Sequence, residues 1–95
     1  MAELLVDING IFTFHGIIND PSFDISKLRR EAGSYSIQCA RDGNEEIFTC
    51  QIINIPGGYT HEGLQLKVNA DGLYARKGYS APDFAWNAWV HITAL

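Results

Sequence analysis

A chain of 95 residues with 46% hydrophobic and 19% charged residues has the composition of a single folded domain, and it is too short for two cores. Its formal net charge of -4 argues against a broad phosphate-binding surface, because affinity for a nucleic-acid backbone depends on clustered lysine and arginine. The sequence has no secretory signal pattern and no apolar run that would cross a bilayer, so we expect a cytoplasmic protein.

The first predicted element is a β-hairpin around Asn9-Gly10, a dipeptide that strongly favours a two-residue turn. Residues 3–8 and 11–17 would form its strands, with Ile8 opposite Ile11. Both faces of this hairpin are substantially apolar, which is typical of a strand pair that is covered on both sides.

Residues 19–22, Asn-Asp-Pro-Ser, break the strand pattern, and a short α-helix is predicted at about residues 24–32. Asp24 or Ser22 would cap this helix, and Gly33 would end it. Its apolar residues fall roughly on one side, so we expect the helix to pack across the sheet or to plug one end of it.

The clearest predicted element is a hairpin over residues 34–55 with an Asp-Gly turn. If Arg41 faces Glu46 across the turn, one face of the hairpin is wholly apolar. That face consists of Tyr35, Ile37, Cys39, Phe48, Cys50 and Ile52. Its two cysteines lie on a diagonal of roughly 7–8 Å, which is too long for an unstrained disulfide, so two buried free thiols are predicted.

A third hairpin follows a glycine-rich loop at residues 56–63. Leu64, Leu66 and Val68 alternate with polar residues and are predicted to face inward, before a turn at residues 70–72 leads into the next strand. Residues 84–95 predict a long final strand. Strand alternation would place Trp86, Ala88, Val90 and Ile92 on one of its faces, and Asn87, Trp89, His91 and Thr93 on the other.

The total of about seven strands and one short α-helix predicts a mainly β fold. Turn signals at this spacing are typical of an antiparallel sandwich or of a partly open barrel built from hairpins. Strand order is left open, because hairpins determine neighbours only in pairs.

Groups for catalysis are few in this sequence. His61 is the strongest candidate among the three histidines because it lies in the glycine-rich loop, but the adjacent Glu62 would point the opposite way on an extended chain. The spacing of His, Cys, Asp and Glu fits no metal site, and no glycine loop has the phosphate-binding pattern. We therefore predict a protein that is not an enzyme and uses no cofactor.

A protein-binding surface is the better-supported hypothesis. Trp89, set beside His91 and opposite Trp86, would leave a large amphipathic ring near the surface, where such rings anchor interfaces. If the hairpin tips lie at one end, their acidic residues would steer a basic partner. The candidate partner-binding residues are Trp89, His91, Asp42, Glu45, Glu46, Asp71, Tyr59 and His61.

The preferred interpretation is a small acidic inhibitor or immunity-type protein that masks a basic surface of a partner protein. One alternative is a structural or assembly subunit, phage-like or self-associating. Another is a binder of a small ligand or of single-stranded nucleic acid. For nucleic acid, bases would stack on aromatic residues that are interleaved with cations in the C-terminal third: Tyr74, Tyr79, Phe84, Trp86 and Trp89 with Lys67, Arg76 and Lys77. The net acidity disfavours nucleic acid, and no membrane association is predicted.

Overall fold

The computed structural model describes residues 13–28, 31–57, 63–80 and 84–92. These residues form a curled, mixed sheet of seven strands, a half-barrel, and the prediction of a mainly β fold is confirmed. The strands are β1 (Phe14–Asp24), β2 (Gly33–Asp42), β3 (Glu45–Ile55), β4 (Leu64–Asn69), β5 (Gly72–Ser80), β6 (Phe84–Trp86) and β7 (Val90–Ile92). They lie in the order β1-β2-β3-β4-β5, and both β6 and β7 pair with β5. Most of the predicted first hairpin lies outside the described residues.

β1 departs from the prediction because it pairs with β2 in parallel, whereas the sequence predicted antiparallel hairpins. It also continues through Pro21, where a break was predicted. Between the pairs Asn19–Cys39 and Asp24–Arg41, β1 advances from 19 to 24 while β2 advances only from 39 to 41. The additional residues of β1 bulge out of the ladder, where a proline has no hydrogen bond to lose.

The predicted α-helix at residues 24–32 is instead a 3₁₀ turn, Ile25–Lys27. Asp24 caps this turn, because its Oδ1 accepts a hydrogen bond from the amide of Ser26 at 3.0 Å. The helical conformation ends at Leu28, which is extended. Ile25 and Leu28 are both buried, so the turn packs its apolar side chains against the concave side of the half-barrel.

The hairpin of β2 and β3 has the predicted register. Arg41 pairs with Glu46, and Tyr35 pairs with Ile52. Gly43 follows the end of β2 with a φ of +64°, a conformation that glycine adopts without the steric cost of a Cβ atom. The predicted register is therefore correct, but the two residues of the turn are Gly43 and Asn44 and not Asp-Gly, because Asp42 still pairs with Glu45.

The apolar face of this hairpin changes side, contrary to the prediction. Thr49 has a φ of +48°, and the strand pairing skips Thr49 and Gln38. An irregularity of this kind, like a β-bulge, disturbs the alternation of side chains and bends the strands. Beyond it, Ala40 is fully buried, whereas Phe48, predicted to face inward, is 58% exposed.

β4 and β5 pair through the predicted turn, but the predicted inner and outer faces of β4 are reversed. Gln65 is fully buried, while Leu64 and Val68 are exposed. A period of two residues identifies the two faces of a strand, but it does not show which face lies inside.

The predicted final strand is interrupted. Gly78 pairs with Trp86, and Ala75 pairs with Val90. Between these two pairs lie two residues of β5 but three residues of the C-terminal segment. The additional residue between β6 and β7 changes the alternation. As a result, Trp86 and Trp89 point to the same side, where both contact Arg76, and not to opposite faces.

The apolar core lies on the concave side of β2 and β3, against the 3₁₀ turn. Its buried residues are Ile25, Leu28, Tyr35, Ile37, Ala40, Cys50 and Ile52. Both cysteines are free, as predicted, but Cys39 is only half-buried. Within the described ranges, no helix has the length and apolar character needed to cross a membrane.

Candidate functional site

The concave side of β4 and the neighbouring C-terminal segment carry donors for the carbonyl groups of the 3₁₀ turn. Gln65 donates from Nε2 to the carbonyl oxygen of Ile25 at 2.7 Å, and Trp86 donates from Nε1 to that of Ser26 at 2.8 Å. The carbonyl of Ile25 also accepts a hydrogen bond from the amide of Leu28 at 3.2 Å, so Gln65 adds a second bond to this oxygen. An inward-facing glutamine on β4 can make this bond, whereas a leucine could not.

A buried network of polar side chains continues from Gln65 across β3, β4 and β5. Gln65 donates to Asn54 Oδ1 at 3.0 Å and accepts a hydrogen bond from Arg76 Nε at 2.8 Å. The terminal nitrogens of Arg76 each donate to one carboxylate oxygen of Asp42 at 3.0 Å. Among the described residues, no buried side-chain nitrogen or oxygen lacks a partner. The network is therefore a satisfied structural unit.

Aromatic rings cover the cations on this side of the sheet. The guanidinium carbon of Arg76 lies 4.2 Å from the ring centroid of Trp89 and 5.1 Å from that of Trp86. Lys67 Nζ lies 4.6 Å from the ring of Trp89 and 4.9 Å from the ring of Tyr74. Three of the five rings that the sequence suggested for base stacking, those of Tyr74, Trp86 and Trp89, are thus in contact with cations of the chain itself, whereas Tyr79 is exposed.

Two of the candidate partner-binding residues take part in this interior arrangement. Trp89 is half-buried and donates from Nε1 to Asp42 Oδ2 at 2.9 Å. Asp42 is paired with Arg76, and their side chains are 12% and 7% exposed. The prediction that Trp89 lies on the face opposite Trp86 is wrong, and Asp42 is not a free carboxylate of an acidic rim.

The remaining candidates that the structure describes are exposed. Glu45 and Glu46 lie at the start of β3, Asp71 lies in the turn between β4 and β5, and the ring of His91 stacks on Tyr74 with 4.5 Å between centroids. Because β2 and β4 run in the same direction, the turns that follow them lie at the same end of the sheet. The other two candidates, Tyr59 and His61, lie outside the described residues.

The outer face of the sheet, opposite the core, carries an apolar surface that the sequence analysis missed. We define it by two adjacent rows of paired residues: Phe14, Ser34, Ile53, Leu66, Ala75 and Val90, and Ile17, Ser36, Gln51, Val68, Leu73 and Ile92. Phe14, Ile17, Val68, Val90 and Ile92 are five of the eight large hydrophobic residues exposed in the described part of the chain. The alternation of apolar and polar residues in β4 indicates one apolar face, but the sequence predicted that this face points into the core.

An open cleft of about 440 Å³ is lined by four residues of the second row, Ile17, Ser36, Gln51 and Val68, and also by the core residues Ile37 and Cys50. Its lining comes from β1, β2, β3, β4 and the turn after β4: Ile17, Ser36, Ile37, Gln38, Thr49, Cys50, Gln51, Val68, Asn69 and Ala70. A volume in this range accommodates a small ligand or a few residues of a peptide.

Comparisons with protein-family models, with curated proteins and with solved structures find no match to this chain. Within the described ranges, no three His, Cys, Asp or Glu side chains are grouped so that they could hold a metal ion.

Proposed function

We propose that this protein is a non-enzymatic binding domain that attaches to a partner protein through the outer face of its sheet. The observation that carries the proposal is the exposed apolar surface of the two rows on that face, with Ile17 65% and Val90 59% exposed. Ser34, Ser36 and Gln51 interrupt this surface on β2 and β3. Exposed apolar surface is typical of protein contact sites, because burying it gains about 25 cal/mol for each Å² removed from water.

Charge supports a basic partner. The chain has a net charge of -4, and the exposed Glu45, Glu46 and Asp71 lie at the end of the sheet where β2 and β4 terminate. Carboxylates beside an apolar surface accelerate association with a basic protein and orient it. We therefore favour an inhibitor or immunity-type protein that masks a basic surface.

The unpaired cysteines support a cytoplasmic location, where thiols stay reduced.

The test compares variants of one face in a defined complex. Tagged protein is used to recover partners from native cell extract, and a stoichiometric partner is then purified and titrated by calorimetry. Val90→Asp should weaken binding about tenfold or more, because it buries a charge in the apolar contact. Asn87→Asp adds the same charge at an exposed position outside both rows and away from the acidic end of the sheet, and it should change the affinity by no more than about twofold.

Increasing salt should also weaken the complex if the partner surface is basic. Equal affinities for wild type and Val90→Asp would show that the outer face is not the contact surface. A salt-independent affinity would contradict the inhibitor interpretation while leaving protein binding intact.

Self-association is the second candidate function, and β7 favours it. All three residues of β7 are exposed, and among the described strands it pairs with β5 alone. A strand with a free edge can pair with another copy of the chain. Sedimentation equilibrium distinguishes the two functions, because a monomer at all concentrations contradicts self-assembly.

A further inference from the structure

We propose that the cleft along the second row of the outer face binds a short, uncharged, extended segment of the partner protein, with apolar residues at the ends of the segment and hydrogen-bonding residues between them. This inference rests on the proposed function, since it assigns part of the partner contact to one site.

The length of the cleft suits an extended peptide. It follows the row of paired residues from Ile17 on β1 through Ser36 and Gln51 to Val68 on β4. Neighbouring strands lie about 4.8 Å apart, so the row is roughly 14 Å long. An extended chain rises about 3.4 Å per residue, and about four residues would span the cleft.

The chemistry of the lining sets the polarity of the segment. Ile17 and Val68 provide apolar surface at the two ends of the row. Between them, Ser36 Oγ and Gln51 Nε2 lie 2.8 Å apart in a hydrogen-bonded pair. Gln38 also contributes a side-chain amide to the lining, and it is exposed. This order of groups matches a segment that is apolar at its ends and polar in the middle.

None of the ten residues that line the cleft in the described part of the chain is charged. A charged partner side chain would lose hydration there without gaining an opposite charge. Neutral amides and hydroxyls, in contrast, find both donors and acceptors in the lining. The lining therefore selects against charge.

The irregular backbone of β3 at Thr49 borders this cleft. Its φ of +48° lies in the left-handed region, which is unusual for a β-branched residue. Strained conformations of this kind concentrate where a protein clamps a ligand. Thr49 lines the cleft and lies where the pairing of β2 and β3 is interrupted.

The test measures peptide binding to the isolated protein by NMR. The probes are two capped tetrapeptides at millimolar concentration, Ile-Gln-Ser-Val and Ile-Glu-Glu-Val. We expect the neutral peptide to shift the backbone amide signals of Ser36, Gln38, Thr49 and Gln51. The acidic peptide should bind about tenfold more weakly, because its carboxylates are desolvated without a partner.

Matched variants locate the site. Gln51→Glu introduces a charge into the cleft and should weaken binding of the neutral peptide about tenfold. Asn44→Asp introduces the same charge outside the cleft and should leave binding within about twofold of wild type. Unchanged binding by Gln51→Glu, or shifts confined to other parts of the molecule, would overturn the inference.

Other occupants give distinct results. Equal shifts with N-methylacetamide would show that the cleft does not select a peptide, and shifts of the same four amides on concentrating the protein alone would identify a second copy as the occupant. Either result overturns the inference.

If no peptide binds while partner binding remains sensitive to Val90→Asp, the cleft inference fails and the proposed function stands. If the peptide binds the cleft but Val90→Asp does not weaken partner binding, the cleft inference stands and the proposed contact through the outer face fails.

Discussion

Asp42 and Arg76 form a bidentate ion pair with nitrogen–oxygen distances of 3.0 Å, although 34 positions separate them in the chain. Asp42 ends β2 and Arg76 lies in β5, so the pair joins the two across the concave side of the half-barrel. The planar guanidinium matches the two carboxylate oxygens and is also covered by aromatic rings.

Removal of the Asp42 carboxylate should destabilise the fold strongly. Asp42→Ala leaves the buried Arg76 without its counter-charge, and we expect a loss of about 3 kcal/mol in the free energy of unfolding. Glu45→Ala removes an exposed carboxylate from the same hairpin and should cost less than about 0.5 kcal/mol. Urea unfolding followed by circular dichroism measures both. Similar losses for the two variants would show that the ion pair is energetically unimportant.

The reversed faces of β4 predict opposite outcomes for two neighbouring substitutions. Gln65→Leu removes the donor to the carbonyl of Ile25 and the acceptor for Arg76 Nε, and we expect it to cost about 3 kcal/mol. Leu64→Gln changes a residue that is 37% exposed and should cost less than about 1 kcal/mol. Thermal unfolding of both variants provides the comparison. If Leu64→Gln lowered the melting temperature more than Gln65→Leu, Leu64 and not Gln65 would be the buried residue.

The stability of the protein should depend on Asp24 at acid pH. Burial by itself would raise the pKa of Asp24, but hydrogen bonds from the Gly43 amide and from Ser26, together with the charge of Lys27, outweigh burial and lower it. A carboxyl group with a lowered pKa in the folded state stabilises the protein above its unfolded pKa, and the contribution is lost as the pH falls through the folded value.

Asp24→Asn should therefore reduce the loss of stability on acidification below about pH 4. Glu46→Gln, which removes one exposed carboxylate, serves as the control for the change in net charge. Urea unfolding at a series of pH values measures the slopes. An unchanged slope for Asp24→Asn would contradict the lowered pKa.

The two cysteines should react at different rates. Burial raises the pKa of the Cys50 thiol; the charge of Lys67 lowers it and the carboxylate of Asp42 raises it, and the net direction is upward. Cys39 is only half-buried. In single-cysteine variants, Cys50→Ser should therefore react with an aromatic disulfide reagent at least about tenfold faster than Cys39→Ser. Equal rates would indicate that both thiols lie on the same buried face.

Replacing Thr49 by glycine should relieve backbone strain. The left-handed region costs a non-glycine residue roughly 1–2 kcal/mol, and the flexibility of glycine in the unfolded chain offsets part of that gain. We expect Thr49→Gly to raise the free energy of unfolding by about 0.5–1 kcal/mol. Thr49→Ala retains a Cβ atom and should gain less. Chemical denaturation measures the free energy of unfolding of both variants. A Thr49→Gly variant that is less stable than wild type would show that the backbone at Thr49 is not strained.

Local sequence signals predicted two hairpins correctly. The glycines near Asn44 and in the turn at residues 70–72 each indicate a short connection, and strand pairing follows from the turn once its two residues are identified. The mainly β fold follows from the number of such segments. These features depend on a few adjacent residues, which is why the sequence alone was sufficient for them.

The position of each side chain relative to the core was decided by tertiary structure. Asp24 caps a turn as its sequence suggested, but the predicted helix does not form, and Gln65 and Trp86 pair with the carbonyls that it would have used. One additional residue between β6 and β7 brings Trp86 and Trp89 to the same cation. Alternation within a strand defines two faces, but only contacts between distant segments determine which face is buried.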